Sequence, residues 1–176
     1  MKTIITIPNP ILRQKSQNVS KSDLEVPKIC QELKILLEQQ EDPEGLGLSS
    51  PQINILKQIF ATKIGKTIRF FINPKIYSVS KEKTTTIEGC LSVPFYYGEV
   101  TRPKEININF QNETGKTIDR HYKDITATVI QHEIDHLNGV LFIDHVHRQN
   151  GKIYKVIGKD KEGKEKLAEV KLTSNR

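Results

Sequence analysis

Apolar positions follow two rhythms along this chain. Ile29, Leu33, Leu36 and Leu37 recur on one face of a helix, with Pro27 tolerable only in its first turn and Ser22 or Asp23 available as a cap. From Leu56 onward β-branched and aromatic residues take over. Residues 58–64, a turn at Gly65-Lys66 and residues 67–72 predict a hairpin. Ile106, Ile108 and Phe110 then alternate with polar neighbours, and Asn112-Glu113-Thr114-Gly115 turns the chain back toward Ile118. After Asp124, a second capping residue, Ile125, Val129, Ile130, Ile134 and Leu137 spread over much of a helix that ends at Asn138-Gly139. A helix apolar on most sides is buried. The expected class is therefore α+β, with antiparallel β-sheets packed around a central buried helix. The first eight residues alternate like a strand. Residues 152–157 read as β, 158–163 as turn, and 165–172 as strand or short helix.

Composition narrows the picture. A chain of 176 residues with no internal repeat or linker predicts one domain over 1–176, with a divergent, strand-rich tail from about residue 145. No apolar run reaches the length of a membrane span, and the N-terminus lacks the pattern of a signal or transit segment, so cytoplasmic work without a membrane partner is expected. In such a compartment Cys30 and Cys90 are read as thiols rather than a disulfide. Cys30, inside the first helix with no ligand type nearby, reads as a small core hydrophobe. The net charge of +6 fits either a lysine-rich solvated surface or loose, transient association with a polyanion such as ribosomal RNA. No motif for specific nucleic-acid binding accompanies it.

The chemistry concentrates on the second helix, in His132-Glu133-Ile134-Asp135-His136. The spacing brings both imidazoles to one face, where they can hold a divalent metal, and Glu133 can then exchange a proton with a water beside it. Two histidines and two carboxylates in an apolar helix are costly to bury unpaired, and a metal compensates them. A third ligand is available as Cys90 in Glu88-Gly89-Cys90-Leu91-Ser92, although that segment also reads as a strand end with a core cysteine. A third stretch, Gly45-Leu46-Gly47-Leu48-Ser49-Ser50-Pro51-Gln52, lacks the phosphate-loop and dinucleotide spacings and by itself is a helix cap and turn.

Together the three segments resemble the motifs of the peptide deformylase family, G-x-G-L-A-A-x-Q, E-G-C-L-S and Q-H-E-x-D-H-L-x-G. The second and third are complete here at 88–92 and 131–139, in the family's order and spacing, and the resemblance runs to about Asp144. It implies hydrolysis of the formyl group from the N-terminal methionine of nascent polypeptides. It further implies one divalent ion, Fe(II) in cells with zinc, nickel or cobalt able to replace it, held by Cys90, His132 and His136. Glu133 becomes the general base and then acid; Gln52 and the backbone N–H of Leu91 become oxyanion donors. Leu46 and Gly89 meet the peptide main chain, Leu46, Ile125, Val129 and the flank of His132 line the methionine slot, and Glu88 with Arg102 steadies the cysteine segment.

The chain departs from the pattern at Ser49-Ser50, where the family has small apolar residues and hydroxyls now need partners, and at Tyr97, where many members carry arginine. The tail does not read as the basic helix with which some members are associated with the ribosome. His121, His145 and His147 read as surface residues. Two other readings compete: a metallopeptidase that takes its third ligand elsewhere, and a catalytically silent RNA- or ribosome-binding module, against which an intact Glu133 and Gln52 argue.

Overall fold

The computed structural model describes residues 2–20, 22–40 and 45–170. Two antiparallel sheets and three α-helices account for most of it. Helix α1 (Val26–Glu38) buries the expected stripe of Ile29, Leu33, Leu36 and Leu37, and Cys30 lies among them as a core residue. Pro27 sits in the first turn. The helix starts later than Ser22 or Asp23, however, and neither is its cap residue. Asp23 instead accepts a hydrogen bond from the N–H of Glu25 at 3.0 Å and pairs with Lys57 at 2.6 Å, bracing the approach to the helix.

The first sheet runs β1-β2-β3-β6-β7, from β1 (Gly47–Ser49), β2 (Ile59–Ile64), β3 (Thr67–Val79), β6 (Glu105–Gln111) and β7 (Thr117–Lys123). Strand β3 continues well past Ile72, where Asn73-Pro74 would suggest a stop. A register shift admits the interruption: Asn73 takes a left-handed conformation (φ 49°), and its amide bonds both the N–H and the carbonyl of Val19 at 2.8 Å. The second sheet, β4-β5-β8-β9, comprises β4 (Lys83–Cys90), β5 (Val93–Pro103), β8 (Ile153–Lys159) and β9 (Glu165–Val170). Residues 153–170 thus form two strands joined to β5, preceded by helix α3 (Phe142–Gln149), and the last two positions of the stretch expected over 165–172 lie outside the described residues.

Helix α2 (Asp124–Leu137) packs against β1, β2, β6 and β7 of one sheet and β5 of the other, and its Ala127, Val129, Ile130 and Leu137 are buried. Asp124 is its first residue rather than its cap, and Lys123 holds the cap position. Residues 2–8, the described part of the N-terminal segment, form no strand. Their alternation has another use: the N–H of Ile5 donates to the carbonyl of Gln52 at 2.8 Å and the N–H of Ile7 to that of Ser92 at 2.9 Å. One extended arm thereby ties together the segments that carry Gln52 and Cys90. No helix among the described residues is long and apolar enough to cross a membrane.

Beneath α2 an aromatic cluster holds the first sheet. Phe71 lies 4.5 Å from the ring of Phe60 and 4.3 Å from that of Phe110, with no exposed surface. Phe71→Ala is expected to lower stability by about 3–5 kcal/mol, read as a fall in the urea midpoint at unchanged slope.

Candidate active site

The two histidines of α2 face the β4–β5 hairpin across a short gap. Cys90 ends β4, where the pairing slips: Gly89 opposes Tyr97, but Cys90 opposes Val93, so Leu91 and Ser92 make a tight turn and the residues after Val93 bulge outward. That slip aims the cysteine at the helix. Ligand atoms of Cys90, His132 and His136 all lie within 4.8 Å of one another, with Sγ of Cys90 3.1 Å from Nε2 of His136. The set fits a divalent metal. One thiolate and two imidazoles are a borderline-soft donor group suited to iron, zinc, nickel or cobalt, and three ligands leave a position open.

The ring of His132 is oriented from behind. Its Nδ1 meets Oε2 of Glu88 at 2.9 Å, which leaves Nε2 facing the gap. Glu88 is bound by Arg102 through both oxygens, at 2.6 and 3.0 Å, and Arg102 reaches on to Asp135 at 2.7 Å. Asp135 in turn meets Nε2 of His145 at 2.9 Å. His145 is therefore a half-buried member of this network and not a surface histidine. His147 is exposed, and His121 pairs with Glu105 at the surface.

Electrostatics follow from the arrangement. Burial opposes charge on Cys90, but the neighbouring His136 charge and hydrogen bonds from His132 and His136 outweigh it and bring the thiol down to about 5. Burial also works against protonation of His132, and is outweighed by Cys90 and Glu88, which hold that imidazole well above its ordinary value. Glu133 goes the other way: burial raises it, against the pull of His132, His136 and Ser49.

Strand β1 and the 3-10 turn that follows (Ser50–Ile53) form the opposite wall. A Cβ on Gly47 would collide with the carboxylate of Glu133, so only glycine lets β1 come this close. Two residues on, the fully buried hydroxyl of Ser49 donates to Oε2 of Glu133 at 2.6 Å, and Ser50 donates to the carbonyl of Lys57. Both departures from the small apolar pair thus find acceptors. Gln52 is held in one orientation, its Oε1 accepting from the N–H of Ser49 at 2.8 Å and its Nε2 donating to Ser92 Oγ at 3.0 Å, 3.7 Å from Cys90 Sγ.

A cavity of about 420 Å³ opens onto these groups. Leu46, Gln52, Glu88, Gly89, Cys90, Leu91, Ile125, Val129, His132 and Glu133 all line it; of the residues singled out in the sequence, His136 and Arg102 lie behind the wall. Val129 is buried, whereas Ile125 is half exposed at the rim. Other parts of the lining escaped sequence reading: Thr86, Ile87, Phe95, Tyr96 and, from β9, Glu165. No local motif marks them.

Comparison with known proteins agrees with this architecture. The Polypeptide deformylase family model matches residues 1–152. A peptide deformylase of Agrobacterium fabrum is 40% identical over 153 residues, covering 84% of this chain and 88% of that protein. One from Pseudothermotoga lettingae is 42% identical over 144 residues, 82% of each. Among solved structures, a probable peptide deformylase from Synechococcus phage S-SSM7 superposes with a TM-score of 0.75 at 39% identity, covering 82% of this chain and 99% of that one. A peptide deformylase from Synechococcus elongatus in complex with actinonin gives a TM-score of 0.77 at 32% identity, covering 82% of this chain and 78% of that one.

In metal-free protein Cys90 is expected to be thiolate at neutral pH, titrating near 5 by its ultraviolet absorbance, while Cys30, pushed up by burial to about 12, stays protonated. The thiolate's contribution to stability is complete above the unfolded thiol's pKa and lost as pH falls through about 5; the His132 contribution runs oppositely, present at low pH and lost as pH rises through its raised value. Metal-free protein should therefore be most stable between those two limits. A Cys90 titration midpoint near that of an ordinary thiol would contradict the geometry.

Proposed function

The chain belongs to the peptide deformylase family, metal-dependent hydrolases that remove N-formyl groups, and from that premise we propose that it deformylates the N-terminal formyl-methionine of nascent polypeptides through the groups gathered at Cys90. One observation carries the assignment of residues: Cys90, His132 and His136 converge within 4.8 Å beside a buried carboxylate, Glu133, on the wall of a cavity large enough for a peptide end.

Cys90, His132 and His136 would hold the ion, Fe(II) in cells, with zinc, nickel or cobalt able to serve in purified protein. When bound, the ion supplies a Lewis acid and brings the pKa of water toward neutrality. The remaining work falls to the chain. Glu133, its proton affinity raised by burial, takes the proton from the attacking water and returns it to the leaving amine nitrogen, while formate departs. Ser49 holds one carboxylate oxygen and leaves the other for the water. The amide of Gln52, turned toward the site by the N–H of Ser49, donates to the carbonyl oxygen as it gains charge, and the N–H of Leu91 serves as a second donor.

Substrate would enter along two strand edges that have no strand partner among the described residues. Strand β1 is the edge of one sheet and β4 the edge of the other, so a peptide can pair with main-chain groups near Leu46 and Gly89 in the manner of an added strand. Its methionine side chain would fill the apolar slot of Leu46, Ile125 and Val129 beside His132. We take helix α2 as the central element of the fold, residues 1–176 as a single catalytic unit, and the cytoplasm as its place of work. Partners are nascent peptides; any ribosome association is transient and rests on the net charge of +6, and no specific nucleic acid is expected.

Formyl-Met peptides should release formate far faster than acetyl-Met peptides release acetate, since an extra methyl would misplace the reacting carbonyl. Matched peptides followed by product release and mass decide the matter. Cleavage of internal bonds without formate would point to a metallopeptidase, and no hydrolysis by fully metallated protein to a silent binding module.

Glu133→Ala is expected to keep its metal by elemental analysis and lose about a hundred- to ten-thousandfold in kcat. Ser49→Ala should retain metal and KM but lose kcat a few-fold, with Ser49→Thr restoring part of it. Loss of metal in step with activity in either alanine variant would refute these assignments.

A further inference from the structure

The matched family region ends at residue 152, yet the cavity wall does not. Strand β8 pairs with β5 at Tyr96, Tyr97 and Gly98, and β9 pairs with β8 and carries Glu165 onto the cavity lining. The contact between old wall and new is specific. The ring of Tyr97 lies over Gly89, where a Cβ would strike it, and the Tyr97 hydroxyl donates to Oε2 of Glu165 at 2.7 Å. Gly89 directly precedes Cys90. A continuous line therefore runs from the metal-ligand cluster through Gly89 and the Tyr97 ring to a carboxylate.

We propose that the β8–β9 hairpin forms a wall of the peptide channel and that Glu165 makes this chain prefer substrates with a lysine or arginine soon after formyl-methionine. The inference rests on the deformylase reading of the site and adds to it the chemical class of the downstream residue. Tyr97 donates to one oxygen of the Glu165 carboxylate and so ties it to the cavity lining that the two residues share. The preference is local and not a property of the hairpin's net charge. Lys155 lies over the ring of Tyr96, 5.9 Å from its centroid, and Lys164 pairs with Glu162 at 3.3 Å. A substrate cation reaching Glu165 meets a half-buried carboxylate, where an ion pair is worth up to about 1 kcal/mol, or roughly fivefold, and is screened by salt.

The test compares formyl-Met peptides that differ only in carrying Ala, Lys or Glu at the second or third position. Wild-type metal-loaded protein should favour Lys over Glu about fivefold in kcat/KM at one of these positions, mostly through KM, and lose the preference at high salt. Glu165→Gln should bring the ratio to near one and Glu165→Lys should invert it, with the alanine peptide less affected than the lysine and glutamate peptides. Tyr97→Phe, which keeps the ring but frees the carboxylate, should weaken the ratio without abolishing it. A Lys/Glu ratio unchanged in Glu165→Lys, or variants that lose all three peptides equally, would overturn the inference while leaving the deformylase reading intact. Failure of wild-type metallated protein to deformylate even the alanine peptide would instead overturn that reading, and this inference with it.

Discussion

A carboxylate with almost no exposure, Glu88, sits between an imidazole on α2 and a guanidinium on β5, and the geometry of the site depends on it. A buried carboxylate is tolerable only when its oxygens are bound, and a buried arginine only when its fork is filled. Both conditions are met at once, because Arg102 spans Glu88 and Asp135. The consequence is mechanical. Strand β4, strand β5 and helix α2 are locked in one relative position, with His145 of α3 closing the far end through Asp135. Breaking one member would strand the others as uncompensated charges, so the network holds its parts more tightly than a single surface ion pair could.

That rigidity matters because the groups in front of it are held away from water at a desolvation cost and compete for protons. A thiolate, an imidazolium and a buried carboxyl within a few ångströms of one another would collapse into other pairings if the backbone were free to shift. The opposite wall supplies the second constraint. Gly47 lets β1 press against Glu133, Ser49 captures one of its oxygens, and Gln52 is oriented by Ser49's own N–H. The N-terminal arm then ties this wall to the hairpin through Gln52 and Ser92. Short local segments are thus made into one cage by a few long-range bonds.

The legibility of the sequence divides along that line. Helix α2 and the spacing that puts His132 and His136 on one side of it are readable because four residues on a helix fix a geometry by themselves. The β2–β3 and β6–β7 hairpins were readable from alternation and turn residues. Strand β3 was undercut because Asn73-Pro74 is a local stop signal that a bulge and a tertiary contact to Val19 override. The first residues misread as a strand because alternate N–H groups serve loops rather than a neighbouring strand. The caps expected at Asp23 and Asp124 are not caps because an acidic residue near a helix start can brace it or open its first turn without capping it. The partners of Ser49, Tyr97 and His145 were not readable at all. Ser49 and Glu133 are 84 positions apart and Tyr97 and Glu165 are 68 apart, distances over which no periodicity carries information.

The same topology explains where the chain could be extended without cost to the site. The second sheet runs β4-β5-β8-β9, so the β8–β9 hairpin joins through β5 and, among the described residues, the outer edge of β4 has no strand partner. An unpaired edge is ordinarily a liability, a template for association with other chains. Here it flanks the cavity that holds Cys90, and β1, the free edge of the other sheet, flanks it from the opposite side. Had the extra strands paired with β4 they would have filled the place proposed for the peptide. Attached to β5 they instead carry Glu165 onto the cavity lining beside Tyr97. On the proposed binding mode, which uses the β1 and β4 edges for an extended peptide, strands joined through β5 are placed where they can alter which peptides are accepted while leaving the chemistry alone.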